Sequence, residues 1–256
     1  MKPKDLHQQY EAGQRNFKGI ELKYANLSGI NLSGINLSGA NLIEVNLKEV
    51  NLSGANLKDA NLYAVNLQRA NLEAVDMRQA NLKLVSLVEC NLSAANLSGA
   101  TLKDCKINHA KLFGANLSQI NLSEASIKNV NLSLMNLRQA NFRRASFYEI
   151  DLSGADLTGA DLTDADFAWS NLNGTNLTNA KMFPVYVLYT DLSEAIQTNT
   201  DIKIRKGSRS SYIVCPQCGG DGHHDYTEFT GGAFGSGNTD ADIYYSCYDC
   251  GYKWMT

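Results

Sequence analysis

Four cysteines near the end of the chain are spaced for metal chemistry. Cys215 and Cys218 bracket Pro-Gln, Cys247 and Cys250 bracket Tyr-Asp, and 28 residues separate the two pairs. Two thiolates three residues apart can chelate one Zn2+, and two such pairs complete a closed tetrahedral site. Such a site is structural, because catalysis at zinc requires an open coordination position. Two disulfides are the competing reading, which a reducing cytoplasm disfavours. His223 and His224 stand beside Asp221 and Asp225, but they read as solvated loop residues once four thiolates satisfy the ion. No Ser/His/Asp set, phosphate-binding glycine loop or nucleotide fingerprint occurs elsewhere. The expectation is a non-enzymatic chain with one structural Zn2+.

The two knuckles resemble a zinc ribbon over residues 213–256. CPQCGGDG is also similar to a unit of the DnaJ zinc domain, but CYDCGYKW is not, which favours the ribbon. Before this module, Lys203, Arg205, Lys206 and Arg209 make residues 201–212 a basic linker. The module itself holds six acidic residues against Lys253 alone. Four thiolates around zinc add further negative charge, so a polyanion would be repelled. This charge disfavours nucleic-acid binding through ribbon and linker, which stays an alternative.

What lies upstream is a repeat. From Phe17 to Met182 an apolar residue falls on every fifth position, thirty-four times without a miss, and twenty-six of these are Leu. A helix repeats near 3.6 residues and a plain strand at 2, so a period of five is neither. Two places before each such residue, from Ile20 to Ala180, stands Ala, Val, Ile, Cys, Ser or Thr, with Met135 the one exception. Residues two apart on an extended chain point the same way, so both face inward and the residue between them, usually Asn, faces out. Asn can hydrogen-bond nearby backbone at a turn, and Ser-Gly pairs such as Ser28-Gly29 supply the corner. Cys90 and Cys105 fall on inward slots and read as small core residues.

The run ANLSGA, repeated as A-(D/N)-L-x-x across residues 15 to about 195, resembles the pentapeptide-repeat family. The resemblance implies an all-β fold, a right-handed quadrilateral β-helix with four units per coil. The phrase from Tyr10 to Phe17 is similar to cyanobacterial members. Asp5 with Gln8 and the pair Leu6/Tyr10 predict a short helix over 5–12 that caps the first coil. The expected organisation is a cap at 1–14, a β-helix at 15–200, a linker at 201–212 and the zinc module at 213–256. No signal peptide or membrane-spanning run is legible, and the expected location is cytoplasmic with no membrane partner.

A solenoid displays walls rather than enclosing a pocket, which points to a protein partner. Residues twenty apart should lie one above another. On that map Tyr24, Ile43, Tyr63 and Leu84 share one wall, and Tyr148, Trp169 and Tyr189 another. Phe113 and Leu134 form a shorter pair on a third wall nearly free of charge. Apolar rows on successive coils mark interaction sites, unless the N-terminal helix covers the first and the zinc module the second. The run Val185–Tyr189 reads as a buried final coil or as a contact with the tail or a second subunit, which leaves a homodimer through the C-terminal coils open. Some members of the family are DNA mimics that bind gyrase, a role that needs dominant negative charge. Residues 15–183 hold 16 Lys+Arg and 15 Asp+Glu. Only Asp151, Asp156, Asp161, Asp164 and Asp166 form an acidic strip, with no basic neighbour in sequence. The reading is a protein-binding scaffold or regulator, with gyrase modulation by DNA mimicry as the alternative. Cyanobacterial relatives include one linked to heterocyst control, and regulation is implied by that resemblance.

Overall fold

The computed structural model describes residues 2–190 and 192–206, and the backbone of four short strands after them, Ile213–Val214, Asp221–His224, Tyr244–Cys247 and Lys253–Met255. The chain divides into two units, Met1–Lys206 and Gly207–Thr256.

The first unit is a β-solenoid whose rungs lie 20 residues apart, shifting to 19 where Val185–Val187 pair with Ile204–Lys206. One ladder of parallel bridges runs from Glu21 through Asn41, Asn61, Asn81, Thr101, Asn121, Asn141 and Asp161 to Lys181 and Asp201. Three further ladders begin at Asn16, Asn26 and Asn31, so four five-residue units close each coil. Most units contribute one reciprocal pair of hydrogen bonds, as where Leu27 N–H donates to Asn46 O at 2.8 Å and Asn46 N–H donates to Ala25 O at 2.8 Å. The extended part is too short to be more than a bridge over most of the length. It becomes a regular strand at β1 (Lys106–Asn108), β2 (Ser126–Lys128), β3 (Ser146–Tyr148), β4 (Asp166–Ala168), β5 (Lys181–Leu188) and β6 (Asp201–Lys206), which pair in that order, all parallel. Strand β6 thus takes in residues that read in the sequence as the start of a linker. The run Val185–Tyr189 lies mostly in β5, a wall strand paired on both sides, by β4 and β6.

The inward slots are where the spacing puts them. Leu32 to Met182 are buried at every fifth position, and Cys90 and Cys105 are buried among them. Burial pushes the Cys90 thiol up to about 12 and holds Cys105 higher still, so neither is a nucleophile at neutral pH. Asn does two jobs. Its Oδ1 accepts from the backbone two residues on, as Asn26 does from Ser28 at 3.2 Å. Its Nδ2 donates to the Asn one coil below, as Asn46 does to Asn26 at 3.1 Å. The second bond depends on stacking and is invisible in one repeat.

The cap is α1 (Pro3–Glu11), a little earlier than predicted. Asp5 is not the cap residue itself; it sits in the first turn and accepts from Lys2 N at 3.3 Å. Leu6 and Tyr10 are buried on the first coil, and the Tyr10 hydroxyl donates to Ser33 O at 2.9 Å. That covers the raw end of the sheet.

The second unit holds β7 (Ile213–Val214), β8 (Asp221–His224), β9 (Tyr244–Cys247) and β10 (Lys253–Met255) in one antiparallel sheet, order β10-β9-β8-β7. Cys215, Cys218 and Cys250 lie outside the described residues, and of Cys247 only the backbone, at the end of β9, is described.

Candidate interaction surfaces

From Phe17 to Leu177 every unit turns its corner at the residue two places after its inward residue. The backbone there is left-handed, with φ between +49° and +62° at non-glycine residues. Glycine occupies it cheaply at Gly29, Gly34, Gly54 and others. A bulky side chain at positive φ is strained. Yet Tyr24, Leu84, Leu134, Trp169 and Tyr189 stand there, 71%, 45%, 83%, 52% and 60% exposed.

The rows read from the sequence are stacked as the 20-residue map requires. Tyr24 N donates to Ile43 O and Glu44 N to Tyr63 O, at 3.0 and 2.9 Å. Their side chains differ in what they offer. Tyr24 and Leu84 are exposed, whereas Ile43 and Tyr63 are half-buried against neighbouring coils. The N-terminal helix leaves Tyr24 open, because its two anchors bury over the coil end instead. On the second wall Trp169 and Tyr189 stack at 4.2 Å between centroids, 27° apart. Tyr148 is separate and half-buried; Lys128 Nζ lies 5.8 Å over its ring. Burial, and then the charge of Glu149, raise the pKa of its hydroxyl. Phe183, 50% exposed with Lys203 Nζ 5.1 Å over its ring, was not found from the sequence, since it follows the last phased unit.

The acidic strip is not free, which corrects the sequence reading. Arg138 Nη1 lies 3.0 Å from Asp156, Arg143 3.5 Å from Asp161 and Arg144 3.7 Å from Asp164. These arginines are 18 or 20 residues away in sequence and one coil away in space. Burial raises the pKa of Asp156 and Asp161, but hydrogen bonds from Thr158 and Thr163 and the nearby cations outweigh it, and both are lowered overall. A lowered folded pKa gives stability that is present above the unfolded carboxylate range and lost as pH falls through the folded value. Stability is therefore expected to fall below about pH 4. Asp156→Asn/Asp161→Asn should flatten that acid limb in urea titrations; an unchanged limb would refute the assignment.

Two family models match this arrangement of units. Pentapeptide repeats (8 copies) match residues 16–54, 40–79, 80–119 and 160–196, and the Pentapeptide repeat region matches 100–177. The matches span more than half of the chain. The chain belongs to the pentapeptide-repeat family. Among solved pentapeptide-repeat structures, the chain is 29% identical to HetL of the cyanobacterium Nostoc, a protein involved in heterocyst differentiation regulation. That match covers 78% of this chain and 94% of HetL, with a TM-score of 0.33. It is 35% identical to alr5209 of Nostoc, covering 41% of this chain and 80% of that one, with a TM-score of 0.27. It is 16% identical to QnrB1, a plasmid-mediated fluoroquinolone resistance protein, covering 73% and 92%, with a TM-score of 0.46. No curated protein matches the chain. The chain is a pentapeptide-repeat scaffold, and no helix among its described residues is long and apolar enough to cross a membrane. Among those residues, no three His, Cys, Asp or Glu side chains cluster to hold a metal.

Proposed function

We propose that this pentapeptide-repeat chain is a non-enzymatic, cytoplasmic protein-binding scaffold or regulator whose anchors are the bulky corner residues. The observation that carries this is Tyr24, Leu84 and Trp169 at positive φ and exposed, where glycine would be less strained. Exposed bulky side chains in stacked rows are the form that interface anchors take, and Trp169 adds its stack on Tyr189 to that surface. DNA mimicry of the kind that would address gyrase is disfavoured by the pairing of Asp156, Asp161 and Asp164 with arginines.

The second unit is proposed to hold one Zn2+ through Cys215, Cys218, Cys247 and Cys250. Strand order supports this reading. Val214 pairs with Asp221, Gly222 with Cys247 and Lys253 with Ser246, so the end of β7, the start of β8, the end of β9 and the start of β10 share one end of the sheet. When bound, the ion supplies a cross-link and no chemistry.

For the surface, Tyr24→Gly and Leu84→Gly are expected to leave unfolding free energy within about 1 kcal/mol of the parent, since relief of strain offsets lost contacts. The same variants should lose capture of a specific host protein that the parent retains in affinity purification. Equal capture by parent and variants would sink the proposal for this wall.

A further inference from the structure

Between residues 110–117 and 130–137 the inter-coil hydrogen bonds are missing. One coil earlier, Leu92, Ala94 and Leu97 donate to Lys111, Phe113 and Asn116 at 2.7, 2.8 and 2.9 Å. One coil later, Leu132, Leu134 and Leu137 donate to Asp151, Ser153 and Asp156 at 2.7, 2.9 and 2.8 Å. The equivalent amides of Leu112, Gly114 and Leu117 have no partner among the described residues, and neither do the returning amides of Asn131 and Asn136. Both ladders skip a rung there, with no bridge from Lys111 to Asn131 or from Asn116 to Asn136. The gap is bounded, because His109 N still reaches Lys128 O at 3.0 Å and Gln119 N reaches Arg138 O at 3.2 Å.

The gap coincides with a departure from the repeat. Met135 is the one long side chain in a slot that otherwise takes Ala, Val, Ile, Cys, Ser or Thr. Ala115 lies one coil below it. From residue 32 to 185 these two are the only inward residues among those described that are not buried. A side chain too large for a close-packed slot favours backbone shifts, and the missing hydrogen bonds flank this pair. An apolar void in the core runs from Leu87 to Leu132 and takes in Leu112, Leu117 and Leu132 beside the gap. Outside it, Phe113 and Leu134 are the two most exposed large apolar residues described, at 89% and 83%.

Deepening the protein-binding reading, on which this rests, we propose that the gap is a strand-acceptor slot for an extended acidic peptide segment of a partner protein. Unpaired N–H and C=O groups on both lips are what an added strand satisfies. The charge is specific: residues 105–123 and 125–148 contain no Asp or Glu, and Lys106 and Lys111 are exposed with no ion pair among the described residues. Acidic side chains facing the lysines, alternating with apolar ones against Phe113 and Leu134, fit this rim.

The probe is a capped octapeptide of alternating Glu and Val, applied to the full chain and followed by amide exchange and fluorescence anisotropy. Without peptide, the amides of Leu112, Gly114, Leu117, Asn131 and Asn136 are expected to exchange at least about 100-fold faster than those of Leu92, Ala94 and Leu97. The peptide should bind and slow the five amides. A Lys–Val version, and a Glu–Val version N-methylated at alternate residues, should each bind at least about tenfold more weakly. Met135→Ala should restore slow exchange and abolish binding; Lys111→Glu should weaken binding about tenfold with exchange unchanged. Slow exchange in the parent overturns the slot. Fast exchange that the peptide does not alter means a solvated gap only and also overturns it, as does equal binding of the N-methylated peptide. These failures leave the Tyr24 and Leu84 tests untouched, so loss of the slot and loss of the scaffold reading are separable.

Discussion

Replacing Phe147 with alanine is expected to lower the unfolding free energy by about 3–5 kcal/mol. Phe147 is fully buried, stacked on Phe167 at 4.5 Å with rings 2° apart, and edge-on to Phe142 at 5.3 Å. Two coils' worth of core therefore meet at one side chain. A solenoid is held by nearest-neighbour contacts, and a void in one coil is not repacked by distant ones. Phe147→Leu keeps most of the volume and should cost under about 1.5 kcal/mol. Urea unfolding of both variants checks the pair; a loss below about 1 kcal/mol for the alanine variant would show that the coils collapse onto the void.

The second large effect concerns the metal. Purified chain is expected to contain one zinc per molecule, and Cys215→Ser or Cys247→Ser should release it. Structural zinc in small domains contributes roughly 10 kcal/mol or more to folding, so loss of the ion should unfold the second unit. The β-solenoid, with its own core from Leu6 to Leu192, should keep its circular-dichroism signal. Metal analysis and circular dichroism of the parent and variants decide it. Native protein with no zinc, or with iron, defeats the four-cysteine assignment; concerted loss of the solenoid signal would show that the two units fold as one.

Much of the first unit was legible because its code is redundant. Thirty-four phased inward positions tolerate single departures such as Met77, Ile107 or Phe142 without losing the period. Stacking at 20 residues then made the apolar rows readable in advance. What failed did so for physical reasons. The helix cap was misassigned by three residues, since Asp at the cap and Asp in the first turn both favour a helix start. Ile43 and Tyr63 looked as exposed as Tyr24, but exposure depends on how far neighbouring coils cover a side chain. The acidic strip looked unopposed because its cations come from the coil before, at separations no local reading weighs.

The sequence by itself determined the inward and outward faces, the corner positions and the family, all of which follow from period and side-chain size. Tertiary structure alone decided the rest. It decided how far the bulky corner residues are exposed, paired Arg138 with Asp156, and joined Asn46 to Asn26. It also decided that the bridges from Lys111 to Asn131 and from Asn116 to Asn136 are missing beside Met135. Each is set by contacts across a 20-residue rise, where the geometry of the neighbouring coil, and not the local pattern, fixes the outcome.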